Sequence, residues 1–129
     1  MENPIVVSFI IPVYNAQRYL RECLESILKI NSLNYEIILI DDGSTDSSRK
    51  ICEEYSKKNY VHLFVQQNKG VSAARNVGIR ESHGKYVTFV DSDDKICLLD
   101  FTFLETGWDL YCLGMSRFKG NSVTSISFK

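Results

Sequence analysis

Glu36-Ile37-Ile38-Leu39-Ile40-Asp41-Asp42-Gly43-Ser44-Thr45-Asp46 is the stretch whose reading decides the fold. Its apolar run is β-branched and does not alternate, the pattern of a strand covered on both faces of a parallel sheet. The run leads straight into a turn whose Ser, Thr and Asp are all good helix caps. A helix to about residue 57 follows, with Ile51, Cys52 and Tyr55 at helical spacing.

The same strand-then-helix unit recurs on both sides. Upstream, residues 5–11 form a second apolar, β-branched run, and after Pro12-Val13-Tyr14 the side chain of Asn15 is predicted to cap a helix. Leu20, Cys23, Leu24, Ile27 and Leu28 repeat at i, i+3, i+4, i+7 and i+8 and give that helix one apolar stripe. Downstream, residues 61–65 read as a strand and Asn68-Lys69-Gly70 as a turn. Ser72 is predicted to cap a helix through about residue 81, Gly84 to serve as its left-handed C-terminal cap, and residues 86–90 to form a fourth strand.

Alternating strands and helices with short connections imply right-handed crossovers and a parallel sheet. The expected fold is α/β, a three-layer α/β/α arrangement around a mostly parallel central sheet, in a single domain over residues 1–129. Beyond residue 94 the pattern weakens. Residues 101–105 are predicted as a short helix and 109–115 as a further strand, and the last ten residues as a frayed edge or tail.

At 129 residues and 44% hydrophobic, the chain can bury a real core. Its net charge is -1 and its basic residues are scattered, which argues against nucleic-acid binding. Apolar runs fall far short of the roughly 18 residues that suggest a membrane span. The opening Met1-Glu2-Asn3-Pro4 lacks a secretory n-region, so a cytoplasmic location is expected. Cys23, Cys52, Cys97 and Cys112 form no Cys-x-x-Cys pair and are expected to be buried free thiols, while His62 and His83 read as isolated.

Ligands of open parallel sheets bind beyond the carboxyl ends of the strands, where loops diverge and helix N-termini present free N–H groups. That rule gathers Pro12, Val13, Tyr14 and Asn15 after the first strand, Asp41 and Asp42 after the second, and Asp91-Ser92-Asp93-Asp94 after the fourth. Carboxylates packed together repel one another, and a divalent cation such as Mg²⁺ or Mn²⁺ relieves this best. Such ions use one or two carboxylates plus phosphate oxygens, so the rim suggests a diphosphate ligand. Tyr14 could pack on a base or ribose, and Asp42 could accept from a base N–H. Asp and Ser after strands also serve as plain turn and cap residues, and Tyr14 as a packing residue of the sheet edge.

Four ordered segments carry a more specific pattern: Ser8-Phe9-Ile10-Ile11-Pro12-Val13-Tyr14-Asn15, the opening stretch from Glu36 to Asp46, Gly70-Val71-Ser72-Ala73-Ala74-Arg75-Asn76-Val77-Gly78-Ile79, and Asp91-Ser92-Asp93. Together they resemble family-2 glycosyltransferases over residues 5–94. The resemblance implies the GT-A fold, a nucleoside-diphosphate sugar donor, most often a UDP-sugar, a Mn²⁺ or Mg²⁺ ion, and a glycan or lipid-linked acceptor. It also implies polysaccharide biosynthesis, with peripheral association at the inner membrane face. On the matching positions, Pro12 and Tyr14 would flank the base and Asp42 would read its edge. Asp93 would be the direct metal ligand, with Asp91 and Ser92 beside it and Asp91 as ribose or water-mediated contact. Asp41 would support the loop or touch the nucleotide. Arg75 would approach the nucleotide or, equally, act as a salt-bridge partner holding an acidic loop.

Inverting transfer also needs a carboxylate base for the acceptor hydroxyl. Only 36 residues follow Asp93, and Asp100, Glu105 and Asp109 read as cap or loop charges. A helix ordinarily expected between Asp94 and Asp109 is clipped, and residues 95–129 read as a divergent or truncated tail. Three readings compete: a glycosyltransferase completed by another chain or unusually compact, a nucleotide-sugar-binding fragment without transfer activity, and an unrelated receiver-like α/β domain whose Asp41-Asp42 pair mimics a phospho-acceptor pocket.

Overall fold

The computed structural model describes residues 4–97, 101, 104, 106, 107, 109, 115–119 and 122–126. Along the chain run β1 (Val7–Val13), α1 (Leu20–Leu28), β2 (Tyr35–Asp41), α2 (Ser48–Tyr55), β3 (Val61–Val65), α3 (Val71–Glu81) and β4 (Tyr86–Phe89), followed by β5 (Met115–Lys119) and β6 (Ser122–Ile126). The first four strands form one parallel sheet in the order β3-β2-β1-β4.

The non-alternating strands are explained by cover on both faces. Val7, Phe9, Ile11 and Val13 of β1, with Ile37 and Leu39 of β2, face the apolar stripes of α1 and α2. Ile10, Ile38 and Ile40 face the other way, against Ala74 of α3. The chain steps outward from β1 to β3, then returns past β1 to add β4. With crossovers of one hand, that reversal carries α3 to the opposite face.

Pro12 lies inside β1 without breaking the sheet. Val90 N donates to Ile10 O and Asp42 N to Val13 O, so Pro12 faces the β4 side, beyond the end of that strand. Its missing N–H therefore forfeits no ladder bond.

Several local expectations are corrected. Asn15 does not cap α1, which begins at Leu20 after Tyr19 with no side-chain cap. Ser72 lies within α3, which starts after Gly70 at φ 95°. Gly84 is not a left-handed cap, because α3 ends in extended Ser82. Gly84 is required by close approach instead: a Cβ there would lie 2.6 Å from Ser8 N and 2.9 Å from Tyr86 O. Because both neighbours are backbone, Gly84→Ala is expected to cost about 1–3 kcal/mol, measured by denaturant unfolding. An unchanged midpoint would contradict this packing.

His62 and His83 are not isolated. Nε2 of His62 and Nδ1 of His83 lie 3.5 and 3.2 Å from Oε2 of buried Glu36. Glu36 Oε1 accepts from Ser8 Oγ at 2.7 Å and from His83 N at 2.6 Å. This network pins the turn before β4 to the amino ends of β1 and β2, which compensates the burial of the carboxylate. Cys23 and Cys52 are buried, and burial pushes both thiols up to about 12, whereas Cys97 is exposed. Cys112 lies outside the described residues.

The C-terminal expectations fare unevenly. Leu104 N donates to Phe101 O and Gly107 N to Leu104 O, two single-turn bonds where a short helix was expected over 101–105. Phe101 is buried edge-on against Phe9, with ring centroids 6.2 Å apart. Of the strand expected at 109–115, residues 110–114 lie outside the described residues, and the observed strand begins at Met115. The end of the chain is not simply a tail, because residues 122–126 pair antiparallel with 115–119. Among the described residues, no helix is long and apolar enough to cross a membrane.

Candidate functional site

The strand order reverses between β1 and β4, which makes the carboxyl ends of these strands the topological switch point. Residues 12–15 leave β1 there, residues 91–94 leave β4, and Asp41-Asp42 end the neighbouring β2.

Asp91, Asp93 and Asp94 are exposed, and each offers a carboxylate oxygen within 4.8 Å of the others. The turn that gathers them is closed by Asp94 N donating to Asp91 O at 2.9 Å. Partial burial raises the Asp94 carboxyl above its ordinary value, and repulsion from Asp93 and Asp91 adds to the shift. Asp94 belongs to this group although the motif singles out only Asp91 and Asp93. The run of carboxylates was the signal, but which of them converge depends on the turn. Ser92 is half-buried between them.

Asp42 is almost fully buried, and its carboxylate is a clamp. Oδ1 accepts from Gln66 Nε2 at 2.8 Å and Lys69 N at 2.7 Å, and Oδ2 from Gly70 N at 3.0 Å. Burial alone would raise this carboxyl, but the three donors outweigh it and hold it below the ordinary range. One acceptor direction remains on Oδ2. Gln66 joins the candidate site through this bond, and nothing local in sequence marks it as the partner of Asp42.

Asp41 is fully buried and faces α2. Its Oδ2 accepts from Arg49 Nε at 3.1 Å and from Ser44 N at 3.4 Å, while Oδ1 has no hydrogen-bond partner in the protein. These contacts tie Asp41 to the loop after β2 and to α2.

Residues 12–15 divide by direction. Val13 is in the core and only its backbone reaches the rim, Pro12 is half-buried, and Tyr14 is 49% exposed. Asn15 adopts φ 47°, and its Oδ1 accepts from Thr45 N at 2.8 Å and Asp46 N at 3.3 Å. Asn15 N in turn donates to Ser44 Oγ at 3.1 Å, so this residue braces the loop before α2. Asp46 Oδ1 accepts from Ser48 N at 2.8 Å, anchoring the start of that helix.

Arg75 of α3 reaches across to β4. Its Nη2 lies 3.3 Å from Asp91 Oδ1, and the guanidinium sits 5.6 Å from the Phe89 ring centroid. The salt-bridge role is therefore the one formed in this state. Two grooves lie elsewhere: about 730 Å³ between α1 and α2, bordered by Arg18, Arg21 and Lys50, and about 470 Å³ at the amino ends of the strands beside Tyr60 and His62. Neither contains the acidic triad or a comparable cluster, so the chemistry points to the strand-end rim.

A parallel sheet with these loops at its switch point defines an α/β domain of the GT-A glycosyltransferase type. The profile of Glycosyl transferase family 2 matches residues 8–96, and the chain belongs to that family. Glycosyltransferase GlyA of Streptococcus pneumoniae is 50% identical over 91 residues, covering 70% of this chain and 13% of the relative. YibD of Escherichia coli, an uncharacterized glycosyltransferase, is 38% identical over 146 residues, covering 95% of this chain and 42% of the relative. The chain thus spans less than half of either relative. The YibD alignment is also longer than the 129 residues of this chain, so that relative has residues with no counterpart here. Among solved structures, S. aureus TarS 1-349 superposes with a TM-score of 0.67 at 32% identity, over 79% of this chain and 31% of that one. Its complex with UDP-GlcNAc superposes with a TM-score of 0.63 at 34% identity, over 79% and 30%. Family membership removes the receiver-like reading.

Proposed function

We propose that this chain carries the donor half of a glycosyl-transfer site: it binds a nucleoside-diphosphate sugar, a UDP-sugar, together with Mn²⁺ or Mg²⁺. The observation that carries this reading is the convergence of Asp91, Asp93 and Asp94 beside Arg75 at the switch point. The complexes of TarS with UDP and with UDP-GlcNAc support the choice of donor.

The residues fit a hard cation. Three exposed carboxylates with oxygens within 4.8 Å provide hard oxygen ligands, and the mutual repulsion that adds to the effect of burial on Asp94 is what a divalent ion relieves. Asp93 and Asp91, joined by Asp94, would hold it, and a bound ion would neutralise the departing diphosphate. Tyr14 would offer its ring to the base beside Pro12, and the remaining acceptor direction of Asp42 would take a base N–H. The clamp on residues 66–70 sets the start of α3, whose first-turn N–H groups then face the rim.

The acceptor side is a separate matter. Transfer with inversion to a glycan or lipid-linked hydroxyl needs a base. Asp100 and Glu105 lie outside the described residues, and Asp109 is exposed. What the described residues support is donor binding.

UDP with Mn²⁺ is expected to raise the melting temperature by the equivalent of about 2.7 kcal/mol at a hundredfold excess over Kd. Absence of stabilisation by every nucleoside diphosphate would sink the donor reading. In a panel of sugar nucleotides, the chain by itself is expected to release no diphosphate. Measurable turnover would place the base within it.

A further inference from the structure

We propose that Arg75 is a displaceable counter-ion that makes cation binding at the acidic triad conditional on the donor diphosphate. This deepens the reading above and rests on its metal site. Asp91 has two claims on its carboxylate. It contributes an oxygen to the triad with Asp93 and Asp94, and its Oδ1 is paired with Arg75 Nη2 at 3.3 Å.

The hold of Arg75 on Asp91 is a weak one. The pair is solvent-exposed, at 38% and 57% of the two side chains, and the contact is long for a charge-assisted hydrogen bond. The guanidinium rests on the Phe89 ring, and its buried Nε has no hydrogen-bond partner in the protein. One of its donors is thus unsatisfied where it sits, which lowers the cost of moving it.

A divalent cation accepted by Asp91 sets positive charge next to that guanidinium. Without nucleotide, Arg75 must either endure the repulsion or give up the one side-chain anion it pairs with among the described residues. A diphosphate changes the balance, because its oxygens match the planar donor fork better than one carboxylate oxygen does. Arg75 then leaves Asp91 for the phosphates, and Asp91 is freed for the cation. The two ligands favour each other through this one side chain, and the coupling is reciprocal. Arg75 is in this sense a positioning residue: it keeps the acidic rim neutralised until donor arrives.

The test is Mn²⁺ binding, followed by the electron paramagnetic resonance of free Mn²⁺, with and without UDP. In the unaltered chain, UDP is expected to tighten Mn²⁺ binding about tenfold or more. In Arg75→Met, Mn²⁺ is expected to bind about three- to tenfold tighter without UDP, and the further gain from UDP to shrink. Arg75→Lys keeps the charge and is expected to bind Mn²⁺ without UDP as the unaltered chain does. Arg75→Gln is the second neutral variant, and melting curves establish that each protein is folded. Mn²⁺ binding by the unaltered chain with no tightening in either neutral variant overturns the proposal alone. No Mn²⁺ binding by the unaltered chain even with UDP overturns the metal site, and the proposal with it.

Discussion

Asp42→Ala is expected to destabilise the fold by about 2–4 kcal/mol and to abolish nucleotide binding. The substitution strands three donors at once, from Gln66, Lys69 and Gly70. It thereby releases the loop that sets the start of α3. Asp42→Asn is the sharper probe, because an amide nitrogen must face at least one backbone N–H that now donates to a carboxylate oxygen. The clamp also has a pH signature. The folded-state carboxyl lies below the ordinary value of 3.8, so its contribution is complete above that value. It is lost as pH falls through the depressed folded value. Acid unfolding of the Asn variant should lack this component. An Asp42→Ala protein with unchanged stability and UDP affinity would contradict the clamp.

Asp93→Ala is expected to remove the whole metal-dependent part of the stabilisation by UDP while leaving the unliganded stability within about 0.5 kcal/mol of the parent. The small structural cost follows from exposure, since Asp93 lies at the surface. The large functional effect follows from charge, because the triad loses the carboxylate that motif matching makes the direct ligand. Asp94→Asn is expected to weaken metal binding less, in keeping with a supporting place in the group. A full Mn²⁺ effect in Asp93→Ala would refute the metal assignment.

Much of the architecture is legible in the sequence. The four parallel strands, the three helices and the strand-end location of the acidic loops follow from β-branched runs, helical spacing and the crossover rule. Boundaries and caps were less legible. Asn15 and Ser72 have the right chemistry for caps, but Asn15 is drawn to the loop at residues 44–46 and Ser72 falls inside α3. Gly84 looked like a helix terminator and is instead the point where the chain brushes the backbone of Ser8. The candidate site shows the same division. The convergence of residues 12–15, 41–42 and 91–94 was readable, but the partners of Asp42 and Asp41 were not.

The sequence by itself determined which strands are buried on both faces, which helices alternate with them, and that carboxylates crowd the ends of two strands. These are matters of local composition and period, set within a window of ten or so residues. Only the tertiary structure decided what each carboxylate does: Asp42 clamps the loop at residues 66–70, Asp41 holds Arg49, Glu36 gathers both histidines, and Asp91 is shared between Arg75 and the triad. The reason is physical. A charged group near the end of a strand takes whichever donor the packed sheet brings within about 3 Å, and those donors lie 8 to 47 residues away along the chain.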